Sequence, residues 1–401
     1  MTEFEKITEL TLTNLQGALA DVLCEYGDPS VLRPVDICEI LGIDMNLAWK
    51  LSRLVNSTDV FSVGKYLPGR KAMGSFCDRA SSSRCPANLV ESLQAASDQV
   101  EKVIRTYAGS RKELKLMLAN LSVEERAGND LIQRRKSFDG NSYTFGVQSD
   151  VQLSSNILIP SRIQSGMADL CRIRGQVGLC RMRTDVPWRL SNTYILDSDG
   201  VIKESPEREF LFPVVPGEPP LVREFCSRHL PDFGSITNRA GRSSYFLKGK
   251  EIGIKSSINL FTAEVVRGSG IMYRNSPGEA AAMNNTSRTP TKKFVIEVFM
   301  PPQFNSSPFV VEMWSRLFGS EDMSEMSPGD LLPLSEQPVL FSAGRSPVPV
   351  PGIPDYCKLI RSCFSRLGEN PADYRLLRLT VDYPPIPASI DVLLVLPEKP
   401  L

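Results

Sequence analysis

Histidine is nearly absent from this 401-residue chain; His229 is the sole one. A mechanism that needs a histidine base, or a metal site that needs two histidines, must use that residue or fail. Cys226-Ser-Arg-His229 is the one Cys/His neighbourhood, and a second ligand pair is missing. Nine cysteines, at 24, 38, 77, 85, 171, 180, 226, 357 and 363, form no CxxC spacing. Their odd number and scatter argue against a disulfide framework, and a thiol in apolar surroundings behaves as a small hydrophobe. Excess charge of either sign is also absent, with 46 basic and 46 acidic side chains. A protein that coats nucleic acid everywhere is therefore excluded, and any such contact must be a local patch. No apolar run approaches the roughly twenty residues that span a bilayer. The start, MTEFEKITEL, is acidic and amphipathic, with no basic stretch before an apolar one. No secretory signal or membrane association is expected, and a cytoplasmic protein is. There is no Walker lysine motif and no Gly-x-Ser-x-Gly elbow, and Gly268-Ser-Gly270 lacks the third glycine of a dinucleotide fingerprint. No cofactor and no metal are expected.

What is present is concentrated in Pro34 to Arg53, PVDICEILGIDMNLAWKLSR. The spacing predicts two short helices around a tight turn. Pro34 suits the first helical position, where no N–H partner is needed and φ is pre-set. Gly42 can supply the positive φ of a sharp helix end. Asp44 stands where a carboxylate caps the next helix. Ile37, Leu41, Ile43, Ala48 and Leu51 give a continuous apolar side, widened by Leu47 and Leu54. Cys38 is small where the two helices would cross most closely.

These twenty residues resemble the helix-turn-helix of DNA-binding proteins, with Cys38 at the small-residue site and Gly42 at the turn glycine. The resemblance implies that the second helix enters the major groove of double-stranded DNA. Its outward side would present Met45, Asn46, Trp49, Lys50 and Arg53. Asparagine and arginine suit bidentate base contacts, and lysine suits phosphate or guanine. Trp49 departs from the polar residue usual there; it can stack on a sugar or be buried against another helix. An ordinary helical hairpin inside a helical core would use the same glycine and the same spacing.

Local charge follows the motif. Residues 1–43 carry two basic and eight acidic side chains, a balance of −6. Residues 44–84 carry seven basic and three acidic, a balance of +4. The positive charge begins at the second helix, and phosphate neutralisation is the main source of DNA affinity. Lys65, Arg70 and Lys71 belong to it, on a turn-rich stretch that reads as a linker or a small wing. A solvated surface with clustered charge is the plain alternative.

The rest divides in two. Phe4, Ile7, Leu15, Leu19, Val22 and Leu23 mark a first amphipathic helix, and a short helix is expected near 71–80. Leu89, Leu93, Val100, Val103, Ile104 and Tyr107 mark a longer one, a possible dimer surface, that Gly109 closes. Ser110–Glu113 and Ser122–Glu125 read as capping boxes for two more helices, to about Lys136. Arg134-Arg135-Lys136 reads as a solvated helix end.

Beyond 140 the period changes to that of strands. Strands are expected over 143–159, about 175–196, 245–266, 294–299, 374–383 and 390–396. Helices are expected over 164–174, 222–230, 309–318 and 355–367. Residues 205–221, 267–293 and 327–354 read as connections rich in proline or glycine. Tyr194 to Ile202, YILDSDGVI, resembles the first motif of haloacid-dehalogenase-type phosphatases, which would make Asp197 the nucleophile and Asp199 the acid/base. Asp-Gly between apolar runs is also a hairpin turn, the reading preferred here.

The expectation is an α+β protein: an all-helical domain, 1–140, with a helix-turn-helix, then a β-rich region, 141–401. The layout resembles uncharacterised bacterial proteins with an N-terminal helix-turn-helix and a long unassigned C-terminal region. It implies a transcriptional regulator that binds double-stranded DNA through Asn46, Trp49, Lys50, Arg53, Lys65, Arg70 and Lys71, possible as a homodimer. The C-terminal region would sense an unidentified small molecule or mediate assembly. A non-enzymatic interaction protein is the alternative, and enzymatic activity is not expected.

Overall fold

The computed structural model describes residues 1–122, 126–184, 186–190, 194–195, 208–239, 242–317 and 327–399. It is α+β, helical first and β-rich after, as the periodicities imply. Helices α1 (Glu3–Cys24), α2 (Pro34–Leu41), α3 (Met45–Val55), α4 (Arg70–Ser82), α5 (Ala87–Val103), α6 (Arg111–Leu121) and α7 (Arg126–Phe145) come in succession. The strands are β1 (Val147–Pro160), β2 (Met167–Arg181), β3 (Trp188–Arg189), β4 (Tyr194–Ile195), β5 (Arg208–Phe210), β6 (Phe233–Thr237), β7 (Arg242–Leu247) and β8 (Ile258–Ile271). They continue as β9 (Ala280–Ser287), β10 (Thr291–Met300), β11 (Phe309–Ser315), β12 (Leu331–Leu332), β13 (Val339–Phe341), β14 (Arg375–Asp382) and β15 (Ala388–Val395). Helix α8 (Tyr356–Leu367) stands between β13 and β14. The chain forms two compact units, Met1–Asp130 and Leu131–Leu401. That division and the expected one at 140 both fall within α7.

The first unit has no strand among its described residues. Thr2 opens α1 with a reciprocal box, its hydroxyl accepting from the Glu5 amide and the Glu5 carboxylate accepting from the Thr2 amide. Leu12, Leu15, Leu19, Val22 and Leu23 of α1 are buried with Leu93, Val100 and Val103 of α5 in one core. The apolar stripe of α5 is thus used inside this unit. Between α3 and α4 the chain forms a 3-10 turn, Val60–Lys65, in place of a wing. Gly64 lets α6 close on that turn, because a Cβ there would stand 3.0 Å from the Leu118 side chain.

Among its described residues the second unit has three sheets. The largest runs β13-β14-β10-β1-β2-β8-β5, with β1 and β10 parallel and its other pairs antiparallel. Alternation gives it two apolar faces. Leu153 and Ile157 of β1 and Val295 and Phe299 of β10 pack with Leu359, Ile360, Cys363 and Phe364 of α8. Leu158, Phe294, Ile296 and Val298 point the other way, into a core shared with the sheet β12-β11-β15-β9. The third sheet, β3-β7-β4 with β6 on β7, is small.

Several expected elements are corrected. Residues 167–174 are strand, not helix: Cys171, Ile173 and Val177 face one core at period two. Gly175 permits this pairing, since a Cβ there would meet the Phe261 ring at 2.6 Å. Residues 309–315 are strand for the same reason, with Phe309, Val311 and Met313 on one side and β15 alongside. The expected loop 267–293 holds the end of β8, all of β9 and the start of β10. Arg134–Lys136 lies in the middle of α7, where buried Arg134 pairs with Glu336 at 2.7 Å. The second capping box reaches into 123–125, outside the described residues.

A charged group sits inside the sheet–helix core. Glu297 is fully buried and accepts from Arg378 Nε at 2.8 Å, from the Tyr356 hydroxyl at 2.6 Å and from Ser155 Oγ. Burial, then the neighbouring Glu297 carboxylate, holds the Tyr356 phenol well above its ordinary pKa. Removing one member of such a buried pair strands the other charge. Glu297→Ala is expected to cost about 3–5 kcal/mol, read as a lower urea midpoint for this unit; an unchanged midpoint would contradict the assignment.

Asp391 on β15 behaves differently. Burial raises its pKa above the ordinary carboxylate value, although Arg316 lies 3.6 Å away. Its folded pKa exceeds the unfolded one, so the native state binds more protons in the interval between them. The contribution is full below the unfolded value, near 4, and is lost as pH rises through the folded value. Asp391→Asn should therefore lessen the loss of stability on going from about pH 4 to neutrality, checked by urea midpoints at both ends.

Candidate nucleic-acid interface

The segment from α2 through the Gly42 turn to α3 is built as its residues dictate. Pro34 begins α2, and Asp36 accepts from the Arg33 amide at 2.9 Å, completing the entry. The Arg33 guanidinium bonded to Asp36 holds that carboxyl below its usual range. Gly42 ends α2 at φ 60°, in the left-handed region. The Cys38 thiol donates to the Ile43 carbonyl at 2.9 Å, so the small side chain also ties down the turn. Asp44 caps α3 by accepting from the Leu47 amide at 2.9 Å. Leu47, Ala48, Leu51 and Leu54 are buried against the rest of the unit.

The far end of α3 is fixed from α1. Gln16 Nε2 donates to the Leu54 carbonyl at 2.8 Å and to the Ser57 carbonyl at 3.1 Å. Asn56 Nδ2 donates to the Ser52 carbonyl at 2.9 Å and the Pro29 carbonyl at 3.2 Å. The bond to Leu54 satisfies a carbonyl that a helix end leaves without an intrahelical partner. Both ends of α3 are therefore held, and its rotation is set by its buried side.

The side left outward carries Asn46, Trp49, Lys50 and Arg53, at helical steps of three and four that share one face. Asn46 and Arg53 are exposed, Lys50 is half-buried, and Trp49 is 42% exposed. Trp49 is neither free nor buried. Its ring meets Tyr66 edge-on with centroids 5.3 Å apart. The Arg53 guanidinium lies 5.8 Å from the Trp49 ring centre, and the Lys65 ammonium 4.9 Å from that of Tyr66. The outcome is a row, Arg53–Trp49–Tyr66–Lys65, in which each aromatic face holds a cation.

Sequence reasoning found three of those four and missed Tyr66. The only signal was an aromatic directly after Lys65. Arg70 and Lys71 are exposed in the first turn of α4, which has no acidic residue and no side-chain cap. Cations there oppose the helix dipole, so their placement does not serve the helix. Asp197 and Asp199 lie outside the described residues.

No family model and no curated protein matches the chain. A solved structure from Parabacteroides distasonis, described as a candidate protease, is 9% identical with a TM-score of 0.26. The match covers 62% of this chain and 40% of that one. A likeness this weak carries no argument about fold or function. No described helix is long and apolar enough to cross a membrane.

Space at the turn is open, with nothing within 4 Å of a Cβ built on Gly42. The cost of a side chain there is conformational alone. Gly42→Val should lower stability by about 1–2 kcal/mol, and Gly42→Asn by clearly less, since asparagine tolerates the left-handed region. Thermal unfolding of the two variants decides it; equal losses would mean that the backbone conformation is not the cause.

Proposed function

We propose that this protein is a transcriptional regulator that binds double-stranded DNA through α3. The observation that carries the reading is the two-ended fixation of α3 with Asn46, Trp49, Lys50 and Arg53 on its outward face. A rigid helix presenting amide and guanidinium groups along one side suits the major groove, where such groups can pair with base edges. Asn46 is the base reader, Arg53 reads a base or a phosphate, and Lys50 neutralises phosphate. Trp49 packs on a sugar while Tyr66 supports it from behind. Lys65, Arg70 and Lys71 hold flanking phosphates. The β-rich unit senses a small molecule or mediates assembly, and the protein acts in the cytoplasm. A homodimer on paired half-sites fits this reading. Its contact surface lies elsewhere than the α5 stripe, which is buried within the unit.

One observation favours a second reading, an interaction module without enzymatic activity. Met45 is 49% exposed one helical turn from Trp49, and Ile40 of α2 is 45% exposed, apolar side chains that a protein partner could cover.

Fluorescence anisotropy of the full chain against random-sequence duplex DNA at two salt concentrations separates the two. Salt-sensitive binding is expected. Lys50→Ala and Arg53→Ala should each weaken it and lower the salt slope by about one. Absence of binding at low salt would transfer the weight to the interaction module. Binding that both variants leave unchanged would remove α3 from the interface.

A further inference from the structure

We propose that the DNA-contacting surface continues past α3 onto the start of α6, where a cationic cavity holds a stretch of phosphate backbone beside the groove that α3 enters. This rests on the DNA-binding reading and adds a second anchor to it. The cavity, of about 290 Å³, is lined by Lys65, Arg111, Lys112 and Lys115 around Leu67 and Leu114, and no carboxylate lines it. Glu101 of α5 pairs with Arg111. Lys112 and Lys115 are exposed and three residues apart, so they stand side by side on α6.

Gathering like charges costs energy that a polyanion returns by displacing counterions. The aromatic row connects this cavity to α3. Lys65 belongs to both, covering the Tyr66 ring while lining the cavity. Tyr66 in turn meets Trp49 on the outward face of α3. A single small anion would account for the cavity but not for its continuity with that face; a phosphate chain accounts for both. Gly64 favours the arrangement, because a Cβ there would crowd Leu118 of α6 at 3.0 Å.

The contacts are to backbone, so they carry no sequence information. The experiment is duplex binding by the full chain carrying Lys112→Ala and Lys115→Ala, across a salt series, on random and on selected sequences. The salt slope should fall by about 1.8, or 0.9 for each phosphate, and affinity at 0.1 M salt by about 50-fold. The loss should be the same on both kinds of sequence, whereas Asn46→Ala should affect them unequally. Lys112→Arg with Lys115→Arg should retain binding. Parent-like slope and affinity in the alanine pair, while Lys50→Ala and Arg53→Ala weaken binding, would overturn the second anchor and leave the reading of α3 intact. An arginine pair as weak as the alanine pair would overturn it too, since charge would not be the cause. If the parent chain binds no duplex at low salt, both fall together.

Discussion

An eleven-residue helix cannot bury all of its sides against one neighbour, and that constraint governs the first unit. Leu47, Ala48, Leu51 and Leu54 claim the inner side of α3. Burying each of these leucines contributes about 2 kcal/mol, far more than any surface contact can offset. The rotation of the helix is thereby decided, and with it the identity of what faces outward. The bonds from Gln16 and Asn56 then decide where the helix stops. The order of the outward side chains thus comes from residues on the buried side of the helix.

The second unit solves a different problem. Its central strands are apolar on both faces, because α8 covers one and a second sheet covers the other. Polar side chains enter these layers only with partners. Asn285 of β9 accepts from Ser154 Oγ at 2.6 Å and Asn156 Nδ2 at 2.9 Å of β1, linking the two sheets across their interface. Glu297 of β10 does the same between sheet and helix, accepting from the Tyr356 hydroxyl of α8, while Arg378 of β14 donates to it from the neighbouring strand. A slip of one residue in β10 would turn Glu297 into the opposite core, among residues such as Leu158 and Leu379, and turn Phe294 and Val298 out of it. These groups therefore hold register as much as they add stability.

The helical half was legible because its signals are local. Gly42, Asp44 and Pro34 each act within four residues of where they stand, and the structure uses all three in the expected roles. So were β10, β14, β15 and α8, whose periods are clean. Residues 167–174 and 309–315 were misread as helix because their neighbours decide them. The first is held by β1 and β8, and the second by β15 and β12. No spacing within eight residues reports such partners. The face of α3 was readable from spacing; the row through Tyr66 was not, since it depends on where the 3-10 turn returns to the helix.

The parallel pair at the centre of the large sheet bears on how the chain comes together in time. Ser155 and Glu297 sit opposite each other on β1 and β10, yet are separated by 142 positions in the chain. That strand pair cannot close until β10 has been synthesised, and loops of this length are slow to form. The helices of Met1–Asp130 pair over shorter separations, α1 with α5 being within the first 103 residues, and are made first. On a ribosome, α2 and α3 would thus be complete while the large sheet still lacked β10, with the open edge of β1 waiting for a partner.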